Sequence, residues 1–135
     1  MQRTHVAIGI IVNEKQQVCI AQRAQTAHLG GLWEFPGGKV EDCEDALAAL
    51  HRELHEELRI TVNTATPFKQ LPFDYPDDDQ YVLLDFWLVD DFSGEPHGAE
   101  GQPVRWVSMT QLDQIDFPEA NQPIVALLQE HYCAA

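Results

Sequence analysis

Residues 42–58, DCEDALAALHRELHEEL, constrain the fold more than any other stretch of the chain. At about 100° per residue, Leu47, Leu50, Leu54 and Leu58 fall on one narrow stripe. The segment therefore reads as an amphipathic helix that must bury one face. Its opening is conventional: Asp42 can cap it, and Glu44 and Asp45 are acids in the first turn, where the helix dipole favours them. Its end is not conventional. Glu53, Glu56 and Glu57 crowd the end where the dipole favours cations, and like charges three or four apart cost roughly 0.2–0.5 kcal/mol per pair. Glu53 and Glu57 border the apolar stripe, and Glu56 lies about 100° beyond Glu57. Arg52 stands four residues before Glu56 and can pair with it.

A solvated acidic face accounts well enough for Glu41, Glu44 and Asp45. It accounts less well for Glu53 and Glu57, which the stripe draws partly out of water. Carboxylates desolvated side by side either take up a proton or bind a cation. An all-oxygen site for Mg²⁺, with Mn²⁺ as a substitute, is the economical solution. The balance of 8 Lys+Arg against 22 Asp+Glu, a net charge of −14, points the same way. Such a surface repels nucleic-acid polymers and anionic lipid, which are held by Lys and Arg at phosphates. A phosphate-bearing substrate would need a divalent cation as mediator.

The three cysteines, Cys19, Cys43 and Cys133, are an odd number without C-x-x-C spacing, which suits a reducing cytoplasm rather than a disulfide framework. No signal-peptide pattern opens the chain. Its apolar runs, VAIGIIV and YVLLDFWLV, are shorter than a membrane span and read as buried strands.

HVAIGIIV (5–12) and QVCIAQR (17–23) read as a strand pair across a short polar turn. GLWEFPGGKVE (31–41) begins as a strand and breaks into a loop at Pro36-Gly37-Gly38. PFKQLPFDY, YVLLDFWLV and QPVRWVSM are further strands, and ANQPIVALLQEHY is a closing helix. The pattern predicts an α+β fold over residues 1–135, one domain with a mixed sheet between helices. Two superficial motifs drop out. The glycines do not form a phosphate-binding P-loop, and His51 and His55 do not match H-E-x-x-H, because the glutamate is one place off.

From Gly38 the chain reads Gly, five residues, Glu44, seven residues, Arg52-Glu53-Leu54, one residue, Glu56-Glu57, one residue, Arg59-Ile60. This closely resembles the signature of the Nudix hydrolases, which cleave pyrophosphate bonds in nucleoside-diphosphate-linked compounds. Arg59 departs from it, standing where the family usually has a helix-ending glycine. GIIVNE, AQRAQTAHL, LWEFPGGKVE, FWLVDDFSGEPHGAEGQP and DFPEANQPIVALL extend the resemblance over nearly the whole chain, to the bacterial branch that hydrolyses 8-oxo-dGTP. The loop around Asp77–Asp79 is slightly longer and more acidic than in that branch.

The resemblance implies an α/β/α sandwich and Mg²⁺-dependent release of pyrophosphate from 8-oxo-dGTP, a sanitation of the nucleotide pool, by a cytoplasmic monomer. It implies a metal site of Glu53, Glu56, Glu57, Glu100 and the Gly37 carbonyl. Glu53 is then the leading general base, Arg52 orients the glutamates, and Glu100 joins as a further ligand or base. Arg23, His28, the strand end Glu34-Phe35-Pro36-Gly37 with Gly38, and Asn121 would contact the nucleotide. Asn121 would read the purine edge. Without the resemblance, Glu100, Arg23 and His28 look ordinary, and Asn121 serves equally well as a cap of the last helix with Pro123 in its first turn. Trp33, Trp87 and Trp106 read as core and sheet residues. Within the same family, ADP-ribose or a dinucleoside polyphosphate is the alternative substrate. A non-catalytic module binding an oxidised base is a third reading, disfavoured by the intact glutamates.

Overall fold

The computed structural model describes residues 2–24, 30–75 and 80–133. His28 and the Asp77–Asp79 loop lie outside them. In chain order the elements are β1 (Gln2–Ile11), β2 (Gln17–Gln22), β3 (Trp33–Glu34), β4 (Gly37–Lys39), α1 (Ala46–Leu58), β5 (Thr61–Tyr75), β6 (Gln80–Ser93), β7 (Val104–Ser108) and α2 (Gln122–Cys133). Short 3-10 turns cover Met109–Gln114 and Glu119–Asn121.

Strand β1 is apolar on both faces because both faces are covered. Ala7 and Ile11 point to a layer made with Leu50, Leu54 and Leu58 of α1. Ile8, Ile10 and Val12 point to a second layer with Ile124, Val125 and Leu128 of α2. The sheet between the helices is mixed. Its order is β4-β1-β6-β5, with β1 parallel to β6 and antiparallel to β4. A three-stranded sheet, β3-β2-β7, adds Val18, Ile20 and Val107 to the α2 layer and Cys19 to the α1 layer. The mixed sheet between helices is the architecture expected from the strand and helix pattern. No helix among the described residues is long and apolar enough to cross a membrane.

Strand β5 forms an edge. Pro67 and Pro72, together with register shifts near Val62, Thr64 and Pro67, make it a poor template for another strand.

Four local expectations are corrected. First, β1 and β2 do not pair as strands. Both edges of β1 are taken by β4 and β6, and both edges of β2 by β3 and β7, leaving one bridge between Val12 and Val18. Second, Gly37 and Gly38 form a strand rather than a loop. A side chain at Gly37 would collide with the Ala7 carbonyl, and one at Gly38 with the Glu53 carboxylate, so only glycine lets β4 lie here. Third, the helix starts at Ala46, and its cap is Asp45, whose carboxylate accepts from the Ala48 N–H at 2.8 Å; Asp42 is not the cap. Fourth, the buried stripe is Ala49, Leu50, Leu54 and Leu58, while Leu47 in the first turn is 39% exposed. The stripe meets β1 at Gly9, where an added methyl would approach Leu54 Cδ1 to 2.8 Å.

Candidate active site

Arg52 organises the acidic end of α1. Its Nη2 donates to Glu44 Oε1 at 2.6 Å and its Nε to Glu44 Oε2 at 3.2 Å, a two-pronged contact. Nη1 donates to Glu53 Oε1 at 2.9 Å, and Nη2 also reaches the Lys39 carbonyl at 3.0 Å. The pairing expected with Glu56 is the longest of the set, at 3.5 Å. Glu44, read from the sequence as a solvated acid, is therefore Arg52's tightest partner. The guanidinium holds its carboxyl below the usual range. Because Glu44 also accepts from the Glu41 N–H at 2.9 Å, the turn before α1 is tied through Glu44 to Arg52 in the middle of the helix.

Glu53 lies flat against Gly38 with only 16% of its side chain exposed. Burial raises its pKa, Arg52 pulls it back, and Glu56 and Glu100 push it up again. Glu57 is perturbed further. Burial, then Glu53, Glu34 and Glu100, push its carboxyl up to about 8, opposed by the Gly37 N–H, which donates to it at 3.1 Å. The sequence-based expectation that these two carboxylates are partly desolvated neighbours holds. Glu57 opens on a cleft of about 370 Å³ lined by Gln22, Arg23, Glu34, Glu57, Glu100 and Gln102. A larger groove, about 530 Å³, runs past Lys15, Asp90, Glu95 and Trp106 and includes none of these site carboxylates.

Glu100 reaches the cleft from the connection between β6 and β7, forty-odd residues away in sequence, because that connection caps α1. The last carbonyls of a helix lack partners within it. Here the His97 N–H donates to the Leu58 carbonyl at 3.3 Å and the Ala99 N–H to the Glu57 carbonyl at 3.0 Å. Gln102 Nε2 donates to the same Glu57 carbonyl at 2.9 Å. Arg59 closes the helix in the left-handed conformation, φ 60° and ψ 34°, with its N–H on the His55 carbonyl. It thus takes the backbone shape a glycine would have taken.

The NUDIX domain model matches residues 3–128. The chain belongs to the NUDIX family. It is 43% identical over 129 residues to the 8-oxo-dGTP diphosphatase of Escherichia coli, covering 96% of this chain and 98% of that protein. It is 40% identical over 120 residues to the 8-oxo-dGTP diphosphatase of Haemophilus influenzae, covering 89% and 87%. Among solved structures, a MutT from a study of the Aliivibrio salmonicida and Vibrio cholerae proteins superposes with a TM-score of 0.87 at 41% identity, over 97% of this chain and all of that one. The protein is a Nudix pyrophosphohydrolase with the family's sandwich fold, and the family generally requires a divalent metal.

Within this Nudix fold the expected site residues are distributed unevenly. Arg23, Glu34, Glu57 and Glu100 line the cleft, Gly37 adjoins Glu57, and Gly38 and Arg52 adjoin Glu53 beside it. Arg23 Nε donates to Glu34 Oε2 at 2.7 Å across the β2–β3 rim. Glu56 stands on the flank with 52% of its side chain exposed. Phe35 turns into the core, stacked on Phe117 at 4.9 Å and edge-on to Phe86, so only its main chain remains for a ligand. Pro36 is buried, its carbonyl accepting from Gly9 N–H at 2.8 Å. Among the described residues, no three His, Cys, Asp or Glu side chains converge closely enough to hold one ion as they stand. Asn121 ends the second 3-10 turn with its own N–H on the Pro118 carbonyl. Its amide makes no hydrogen bond to a described residue, so it does not cap α2 through its side chain.

His51 and His55 are exposed. Trp33 carries Arg105 over its ring at 4.8 Å, and Trp106 stacks with Phe92. The residues the sequence did not single out are Gln22 and Gln102. Nothing in their spacing marks them; only the folding of the β6–β7 connection onto α1 does.

Proposed function

We propose that the protein hydrolyses 8-oxo-dGTP to 8-oxo-dGMP and pyrophosphate, acting as a single-domain monomer in the cytoplasm and clearing an oxidised precursor before replication. The observation that carries this reading is the likeness to 8-oxo-dGTP diphosphatases over nearly the whole chain.

The donor set suits Mg²⁺, with Mn²⁺ as substitute. Glu53, Glu56, Glu57, Glu100 and the Gly37 carbonyl are all hard oxygen ligands. Glu57, raised to about 8 by burial and then by neighbouring carboxylates, is a group that a divalent cation would relieve by taking the proton's place. When bound, the cation supplies neutralisation of phosphate charge and lowers the pKa of water. The protein's part is positional. Arg52 holds Glu53 in one orientation, and Gly38 lets its carboxylate lie against β4 beside Glu57. Glu53 accepts the proton of the attacking water, which adds in line to the β-phosphorus as its bond to the oxygen shared with the α-phosphorus breaks, so that oxygen leaves with 8-oxo-dGMP and the β- and γ-phosphates leave as pyrophosphate. Arg23, beside Glu34, contacts the nucleotide from the opposite rim, and His28 is a further nucleotide contact. Asn121 pairs its free amide with the purine edge, where an amide left unpaired by the wrong base is costly.

A product assay with Mg²⁺ across 8-oxo-dGTP, dGTP, ADP-ribose and a dinucleoside polyphosphate tests this. Pyrophosphate is expected from 8-oxo-dGTP at concentrations where dGTP is turned over far more slowly. Equal turnover of the two, or preference for ADP-ribose, overturns the substrate assignment.

A further inference from the structure

We propose that Gln102 is a positioning residue that sets the reach of the Glu100 carboxylate into the active-site cleft. The inference rests on the reading of Glu100 as a site carboxylate.

The side-chain amide of Gln102 is used at both ends. Its Nε2 donates to the Glu57 carbonyl at 2.9 Å, and its Oε1 accepts from the Glu100 N–H at 3.0 Å. One amide therefore ties the main chain of Glu57 to the main chain of Glu100. The side chains of those two residues line the same cleft, and so does Gln102 itself. The orientation of the amide is unambiguous, since a flipped amide would set donor against donor and acceptor against acceptor.

The turn that carries Glu100 is held at its entry by main chain and at its exit by Gln102. At the entry, the Ala99 and His97 N–H groups bind the end of α1. The turn closes on itself through the Gly101 N–H and Gly98 carbonyl at 3.0 Å, with Gly101 at φ +87°. Gly98 fits flush beneath the Gln102 carbonyl, where any side chain would collide. Past Ala99, no hydrogen bond other than those of Gln102 joins the turn to α1 among the described residues. Glu100 is exposed, and its carboxylate has no hydrogen-bond partner among them. Its distance from Glu57 therefore depends on the Gln102 amide. Glu57 and Glu100 line one cleft, so the position of the carboxylate matters there.

The test compares Gln102→Ala, Gln102→Met, Glu100→Gln and the double variant Glu100→Gln/Gln102→Ala in the full chain. Hydrolysis is measured with Mg²⁺ on whichever nucleotide the wild type cleaves best, so failure of the 8-oxo-dGTP assignment leaves this test intact. Misplacing a reacting group by an ångström can cost up to about a hundredfold, and both Gln102 variants are expected to lose about ten-fold in kcat with KM within about two-fold. In the Glu100→Gln background, Gln102→Ala should remove less than about two-fold more, because the group it positions is gone. A readout free of catalysis is amide hydrogen exchange: the Glu100 N–H should exchange about five- to ten-fold faster in both Gln102 variants while α1 amides keep their protection. Full activity in Gln102→Met would show that the residue only fills space and would overturn the proposal. So would an undiminished loss in the Glu100→Gln background, or unchanged exchange at Glu100.

Discussion

The two rims of the cleft are built by different means. On the α1 rim three carboxylates are held directly, Glu44 and Glu53 by Arg52 and Glu57 by the Gly37 N–H, and Gln102 ties down the turn that carries Glu100. On the opposite rim Arg23 donates to Glu34, with Phe35 stacked on Phe117 in the core behind it, and Asn121, four residues on from Phe117, has no hydrogen bond to a described residue. A reaction at phosphorus needs fixed charges at fixed distances, because a displaced carboxylate is a lost base or ligand. Reading a base needs an amide that is unpaired until the right ligand arrives. The first rim should therefore govern rate and the second selectivity, and the largest effects should come from the first.

Glu53→Gln is the sharpest way to break that division. The amide keeps the size of the side chain and a hydrogen-bond acceptor for Arg52 but cannot accept the water's proton. General-base loss costs about 10²–10⁴-fold, so kcat should fall by at least about a thousandfold while circular dichroism and melting stay near wild type. Activity within ten-fold of wild type would move the base to another carboxylate. Asn121→Ala should do the reverse. Turnover of the preferred nucleotide should fall modestly, while the preference for 8-oxo-dGTP over dGTP, measured as a ratio of kcat/KM, should narrow by about ten- to a hundredfold. An unchanged ratio would take the purine edge away from Asn121.

Glu57 allows the α1 rim to be tested without substrate. Its folded pKa, about 8, lies above the ordinary value of 4.5, so between those values the folded protein holds a proton that the unfolded chain has released. That contribution to stability is fully present below about 4.5 and is lost as pH rises through about 8. Metal-free protein should therefore melt at a lower temperature at pH 9 than at pH 6, by an amount on the order of a few kcal/mol in stability. Saturating Mg²⁺ should reverse the loss at pH 9, and Glu57→Gln should flatten the profile. A metal-free profile that rises over this range would remove Glu57 as its source.

The difference between the rims also explains what was legible in the sequence. The acidic rim sits on one helix, so helical angles alone brought Glu53 and Glu57 to the edge of the core, and the spacing back to Gly38 and Glu44 identified the family. The expected pair of Arg52 with Glu56 is present, but its tighter partner was missed because Glu44 leaves the helix at the Asp45 cap, and a helical wheel drawn from Asp42 cannot show a side chain that folds back on it. The strand pairing of residues 5–12 with 17–23 was misjudged for a related reason. Two adjacent apolar strands suit a hairpin equally well unless their edges are claimed by strands far along the chain, as β6 claims β1 and β7 claims β2. Gln102 was invisible because its role exists only where the β6–β7 connection meets the end of α1.

Arg59 is where the α1 rim carries its one visible backbone penalty, and it permits a smaller test that should leave chemistry alone. The residue is left-handed, at φ 60°, a conformation that costs an L side chain roughly 1 kcal/mol or more and glycine nothing. Its side chain is exposed and enters no hydrogen bond or ion pair among the described residues, so nothing in the fold compensates. Arg59→Gly removes the strain but frees the unfolded chain, which returns part of the gain. The net expectation is a stabilisation of about 0.5–1 kcal/mol in denaturant melts, with kcat within about two-fold. Because the Arg59 carbonyl packs 3.2 Å from where a Cβ on Gly94 would stand, the chain exit is already crowded into one path, and a more permissive residue should not redirect it. A destabilised Arg59→Gly protein would mean that the arginine holds the helix end through its charge, at the terminus where the dipole favours a cation and three glutamates have been placed instead.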